Sequence, residues 1–281
     1  MRKVKFIVLC FMVMMAFASS ASAGTQIYTQ WTGAVSTDWT VAGNWSNGVP
    51  QQLDPPGGPQ GTNFGKAGFK NKSTSPDLTG KTVAVDQIVV GGLISGSPTG
   101  GFLTVAGGTL NISEFGNIGN IATESGILNI NAGGTINTGT MIPAQGRFIV
   151  GKAGPGVVNM NGGTLNLTSY LTIAPDALVT ANGLVNLNSG TIYATDLLMA
   201  AGGLGTARMV ITDGFLVLQG NDTATLAPWL NTWITTTNAG GTIMAAYDLD
   251  SGTTTVWATP EPATVCLLGL GAMGLLRRNR K

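Results

Sequence analysis

The chain has 281 residues, 42 of them glycine, with only 10% charged residues and no histidine. The charged fraction is far below the ~25% of an average soluble domain, and the missing histidine excludes Ser-His-Asp and Cys-His catalysis and His-based metal centres. The formal net charge is +1, yet residues 24–276 carry 13 acids against 7 bases, a net −6, which argues against a nucleic-acid partner because phosphate binding needs clustered Lys and Arg.

Residues 1–23 read as an export signal. Arg2, Lys3 and Lys5 make the positive leader, Phe6 to Ala18 the apolar stretch, and Ala21-Ser-Ala23 a small-residue cleavage site. Cys10 lies inside that stretch, so Cys266 is the one cysteine left after removal and no intrachain disulfide is expected.

A Trp-rich N-terminal cap is assigned to residues 24–85. Its tryptophans, Trp31, Trp39 and Trp45, have two physical readings. They close the open end of a solenoid core, or they form a platform on which sugar rings stack. Lys66, Lys70 and Lys72 read as a solvated loop. The runs Trp31-Thr-Gly33, Asp38-Trp39 and Asn44-Trp-Ser-Asn-Gly-Val-Pro50 resemble the entry segment of autotransporter-like, repeat-rich bacterial envelope proteins. That resemblance implies β-solenoid coils and a surface location, and no particular chemistry.

Residues 86–220 are built on one returning phrase. Leu103-Thr-Val-Ala-Gly-Gly-Thr-Leu-Asn111 comes back at Leu128–Asn137, Val158–Asn166 and Val185–Tyr193, and in worn form at Met209–Val217. The aligned glycines, Gly108, Gly134, Gly163, Gly190 and Gly214, are 26, 29, 27 and 24 residues apart. Such a period means stacked supersecondary units. Apolar residues alternate with Asn or Thr on both sides of the glycines, which is strand periodicity around a corner, and a positive φ is expected at Gly163. A second short apolar run ends each unit in a small residue, at Gly119, Gly151, Ala174 and Ala200. The expected fold is all-β, a parallel β-helix of about five coils. Stacking would place Asn129, Asn159 and Asn186 in one ladder and Asn111, Asn137 and Asn166 in another.

A C-terminal cap is assigned to residues 221–258. Within it Asp248-Leu-Asp-Ser-Gly252 hints at a calcium loop but lacks the further acidic ligands, so it reads as a hairpin turn between Gly241–Tyr247 and Thr253–Val256.

Residues 259–281 join three parts in order: Pro260-Glu261-Pro262, the apolar run Ala263–Leu276, and Arg277, Arg278, Arg280 and Lys281. Prolines hold the backbone extended around Glu261, and basic residues after an apolar segment mark the cytoplasmic side. The 14-residue run spans ~21 Å as a helix against a ~30 Å hydrocarbon core. A short transmembrane helix with snorkelling arginines is expected. This ending resembles the PEP-CTERM sorting signal, which implies an exosortase-type processing enzyme as partner alongside the export machinery. It also implies transient anchoring in the inner membrane before delivery to the cell surface or outside. Gly269, Gly271 and Gly274 spell a dinucleotide fingerprint without its βαβ context, so no nucleotide is read from them.

Carboxylate chemistry is the catalytic route left open. The acids of the repeats, Glu114, Glu124, Asp176, Asp196 and Asp213, do not recur at coil spacing, and Arg147 and Arg208 are out of register with them. The expectation is therefore a structural or adhesive envelope protein with no catalytic residues, cofactor or metal. A carbohydrate-active enzyme, or a glycan-binding protein in contact with extracellular polysaccharide, is the alternative on the same fold.

Overall fold

The computed structural model describes residues 28–53, 65–69, 74–92, 100–176, 178 and 180–260. The expected export signal, the apolar run and the basic cluster lie outside these residues.

Alternating apolar and polar residues turn each repeat into three short strands, one per face of a prism. Ahead of the repeats run β1 (Tyr28–Trp31), β2 (Lys66–Phe69), β3 (Thr82–Val85) and β4 (Gln87–Val90). Three coils follow as β5 (Gly101–Val105), β6 (Thr109–Ile112), β7 (Gly116–Ile118); β8 (Gly126–Asn131), β9 (Thr135–Thr138), β10 (Phe148–Val150); and β11 (Gly156–Asn166), β12 (Tyr170–Ile173). The last two are β13 (Asn182–Ala194) with β14 (Asp196–Met199), and β15 (Thr206–Ile211) with β16 (Phe215–Gln219). In β11 and β13 one long strand turns the glycine corner and serves two faces.

The first face stacks β1, β2, β4, β7, β10, β12 and β14, all parallel. The second stacks β5, β8, β11, β13 and β15 in parallel, ending on β17 (Ile234–Thr235). The third runs in parallel from β3 through β6, β9, β11 and β13 to β16. There the antiparallel hairpin of β18 (Ile243–Asp248) and β19 (Thr253–Ala258) closes it, with Gly252 at φ +66° in the turn. The parallel β-solenoid of about five coils is thus present, and the one α-helical turn among the described residues is Thr223–Leu226.

Because side chains alternate along a strand, every second residue points inward and stacks on its equivalent one coil away. One inward column is Leu103, Leu128, Val158, Val185 and Met209; another is Leu110, Ile136, Leu165, Ile192 and Leu216. All ten are buried. Burying each of these side chains contributes about 1.5–3 kcal/mol, and no single coil could bury them alone. On the first face Gly116 makes room for its neighbour in the stack: a Cβ there would lie 2.3 Å from the Phe148 ring.

The paired glycines divide the work differently from the expectation. Gly107, Gly133 and Gly162 carry the positive φ, at +61°, +73° and +102°. Gly163 does not. Its constraint is space, since a Cβ would meet Ile130 Cγ2 at 2.5 Å and the Asn131 carbonyl at 2.7 Å. Gly108 and Gly134 are crowded in the same way, by the carbonyls of Leu78 and Val105. The first glycine turns the chain and the second lets the preceding coil close up against it.

Candidate functional site

Three places hold the residues that sequence chemistry singles out. The first is the departure point of the tail. Ala258 ends β19, and Thr259 is still pinned, its N–H donating to the Thr242 carbonyl at 2.8 Å while its Oγ1 accepts from the Thr242 N–H at 3.0 Å. Pro260 is exposed one residue later. Glu261, Pro262, Arg277, Arg278, Arg280 and Lys281 lie outside the described residues. Among the described residues no helix is long and apolar enough to cross a membrane.

The second place is the N-terminal aromatic cluster. Trp31, Trp39 and Trp45 are 2%, 1% and 4% exposed, so their faces are not available to a sugar and the stacking-platform reading is corrected. They pack on one another instead. Trp45 meets Trp31 and Trp39 edge-on, with ring centroids 5.1 and 4.8 Å apart, and both Trp39 and Trp45 lie 5.9 Å from Phe69, an inward residue of β2. Edge-to-face geometry suits the ring quadrupoles, and the Trp45 Nε1–H is satisfied by the Trp39 carbonyl at 2.8 Å. Asn44 locks the loop beneath them. Its buried Oδ1 accepts the Val35 and Ser36 N–H groups at 2.9 and 2.8 Å, and its Nδ2 donates to Ser36 Oγ and the Asp38 carbonyl. These bonds explain why the Asn-Trp pair is needed for architecture.

The third place is a buried polar corner between the third and first faces. Glu114 follows Asp86 by one coil, and its N–H donates to the Asp86 carbonyl at 3.0 Å. Two carboxylates are therefore stacked at coil spacing, contrary to the expectation from the repeats. Asp86 Oδ1 accepts from Ser113 Oγ and from the Leu53 N–H, both at 3.0 Å. Gln87 Nε2 donates to Glu114 Oε2. Burial pushes the Glu114 carboxyl pKa up and Asp86 adds to the rise, against the Gln87 bond and the Lys66 charge, which lower it. Lys66 is the first residue of β2 and not part of a solvated loop; burial pushes its ammonium pKa down. Lys70 and Lys72 lie outside the described residues.

The other expected acids do not join this corner. Glu124 is 1% exposed in the next turn, with both carboxyl oxygens lacking a partner. Arg147 lies with its guanidinium carbon over the Phe115 ring, 5.2 Å from the ring centroid. Among the described residues no group of three or more His, Cys, Asp or Glu is placed to hold a metal. Asp248 sits in the expected hairpin turn, where the Asp250 N–H and Ser251 Oγ hold its carboxyl below the usual range.

Residues 258–281 match the family model of the PEP-CTERM protein-sorting motif. No curated protein and no solved structure matches the chain. The chain therefore carries a β-solenoid body and, from the last residue of β19 onward, a sorting motif.

Proposed function

We propose that this is a non-enzymatic envelope protein whose rigid solenoid serves a structural or adhesive role at the cell surface or in extracellular polysaccharide. The sorting motif at 258–281 carries the reading, since such a motif implies export and an exosortase-type processing partner. Its placement supports the division of labour. The last described strand pairing ends at Ala258, and exposed Pro260 follows, so the motif begins on the last residue of that strand. The body itself offers stacked amides and apolar columns. Of its stacked carboxylates, Asp86 and Glu114 are buried and bonded into the corner, while Asp38 and Asp77 accept the backbone N–H groups of Thr40 and Thr79 in their own turns. A carbohydrate-active enzyme would need carboxylates placed around an open cleft.

In this reading the apolar run Ala263–Leu276 enters the inner membrane transiently, Arg277, Arg278, Arg280 and Lys281 stay cytoplasmic, and Glu261 is presented just outside the bilayer. The test is mass spectrometry of the protein recovered from its host, which reads both termini. Wild-type protein should have lost residues 1–23 and part of 259–281, whereas Glu261→Ala should accumulate with an intact C-terminus in the inner membrane. A Glu261→Ala protein that reaches the surface with the wild-type C-terminus would show the tail to be a plain anchor.

A further inference from the structure

The second face carries a groove on its outer side that the sorting reading does not use. It has a volume of about 490 Å³ and is lined by Val157, Leu184, Asn186, Arg208 and Val210 among others. That is within the ~300–1,000 Å³ range of ligand sites. Register explains how it arises. Val157, Leu184 and Arg208 are outward residues at the same position of successive coils. Trp233 continues the column, because its carbonyl accepts the Met209 N–H at 2.9 Å and the next residue, Ile234, pairs with Met209. Ile234 is fully buried while Trp233 is 41% exposed, so the indole faces outward. With strands ~4.8 Å apart, the column from Val157 to Trp233 is about 14 Å long. It presents two aliphatic side chains, a guanidinium and an indole in that order. Trp229, packed against the core, stacks on Trp233 with planes 6° apart and centroids 6.4 Å apart, which fixes the ring in place.

Two polar groups facing this groove have hydrogen-bonding capacity to spare. Arg208 is exposed and makes no ion pair, hydrogen bond or ring contact among the described residues. Beside it the Asn ladder stops. Asn186 Nδ2 donates to Asn159 Oδ1, and Asn159 Nδ2 to Asn129 Oδ1, both at 2.8 Å. One coil further on, the residue opposite Asn186 is Val210, so Asn186 Oδ1 receives no side-chain donor. A chain of amides polarised in one direction thus ends in an open acceptor. The strands β5, β8, β11, β13 and β15 contain no Asp or Glu, and Arg208 is their only charged residue, although the exported body as a whole is acidic.

We propose that this groove binds a carboxylate-bearing polysaccharide, a chain containing uronic acid residues. The proposal deepens the adhesive reading above and rests on it. Aliphatic faces of sugar rings pack on Val157, Leu184 and the Trp233 indole. A uronate carboxylate takes the fork of Arg208, and a ring hydroxyl donates to Asn186 Oδ1. A peptide fits this surface less well. The strands beneath are interior to the sheet with their backbone groups paired, so strand addition, the usual source of peptide affinity, is closed.

The test uses the full chain purified in detergent, with trigalacturonate, its methyl ester and hexaglutamate as probes, followed by calorimetry and tryptophan fluorescence. Trigalacturonate should bind at least about tenfold more tightly than its uncharged ester. Arg208→Gln should abolish that difference while leaving the melting temperature unchanged. Trp233→Ala should weaken both sugars and remove the fluorescence response. Equal binding of acid and ester, an Arg208→Gln protein that binds like wild type, or hexaglutamate binding as tightly as the sugar would each overturn the proposal. A chain that holds the acid sugar with these variants unaffected retains adhesion but loses this groove. One that binds in the groove yet is never processed in its host keeps the groove and loses the sorting reading.

Discussion

Asn159 and Asn186 are 27 residues apart in sequence and joined side chain to side chain, the Nδ2 of Asn186 donating to the Oδ1 of Asn159 at 2.8 Å. The same bond recurs from Asn137 to Asn111 at 2.8 Å and from Asn166 to Asn137 at 2.7 Å. An amide inside a ladder satisfies both neighbours at once, so removing a middle rung costs two bonds. Asn159→Ala should therefore destabilise by about 1–2 kcal/mol, with water offsetting part of the loss at these half-buried positions. That corresponds to a melting point lowered by ~2–8 °C for a body of this size. Asn188→Ala removes a single exposed bond, to Asn161 at 2.9 Å, and should melt within about a degree of wild type. Equal losses at the two positions would mean that the ladder adds no stability.

Gly162 and Gly163 should fail for different reasons. Gly162 sits at φ +102°, and a Cβ added there would lie 3.4 Å from its nearest neighbour, so Gly162→Ala costs backbone strain of ~1–2 kcal/mol. Gly163 has ordinary φ but no room, and Gly163→Ala must push the coil of Ile130 away, with an expected cost of ~1–3 kcal/mol. Gly163→Asn separates them from Gly162→Asn, since Asn tolerates positive φ but adds bulk. Melting curves of the four variants should show Asn rescuing position 162 relative to Ala and worsening position 163. The opposite order would refute the division.

What was legible in the sequence is what repeats. The glycine-phased alternation gave the coils and the Asn pairs, because stacking places equivalent residues in contact and the equivalence is written in the spacing. The β18–β19 hairpin was legible separately, from the turn residues Asp248–Gly252 between two strand-like runs. The Asp86–Glu114 pair is hidden because Asp86 precedes the first Gly-Gly-Thr copy, so the alignment that reveals the other columns does not reach it. The N-terminal tryptophans are ambiguous for another reason. An indole that closes a core and one that stacks on a sugar have the same sequence signature, and only burial separates Trp45 at 4% from Trp233 at 41%. The proposed sugar surface extends beyond the groove only because Trp233 continues the column of Arg208. That register is set by a two-residue strand, β17, after an irregular turn, which no repeat phase could have placed.

The small residue ending each strand of the first face is also a backbone device. Gly119 and Gly151 have φ of +69° and +72°, and the equivalent Ala174 and Ala200 are held at +50° and +47°. Alanine pays a steric cost there that glycine avoids. Ala200 is only partly buried, so little packing is lost with its methyl. Ala200→Gly should raise stability by ~0.5–1 kcal/mol, the reverse of the usual effect of this substitution, and thermal melts would detect it. A lower melting point would show that the methyl's packing outweighs the strain.

Glu114 makes stability depend on pH in a direction opposite to that of an ordinary paired carboxylate. Its folded-state pKa is raised, first by burial and then by Asp86, with the Gln87 bond and Lys66 opposing. The native state therefore holds its proton to higher pH than the unfolded chain does. Stability is fully present below the unfolded value of about 4.3 and is lost as pH rises through the folded value. Glu114→Gln removes that burden while its Oε1 still accepts from Gln87 Nε2. The variant should melt above wild type at neutral pH, and the two curves should converge as pH falls toward 4. Asp86→Asn on its own should reduce the pH dependence without abolishing it, because burial remains the larger cause. A Glu114→Gln melting point that stays a constant distance from wild type across this range would show that the carboxyl titrates alike in the folded and unfolded chains.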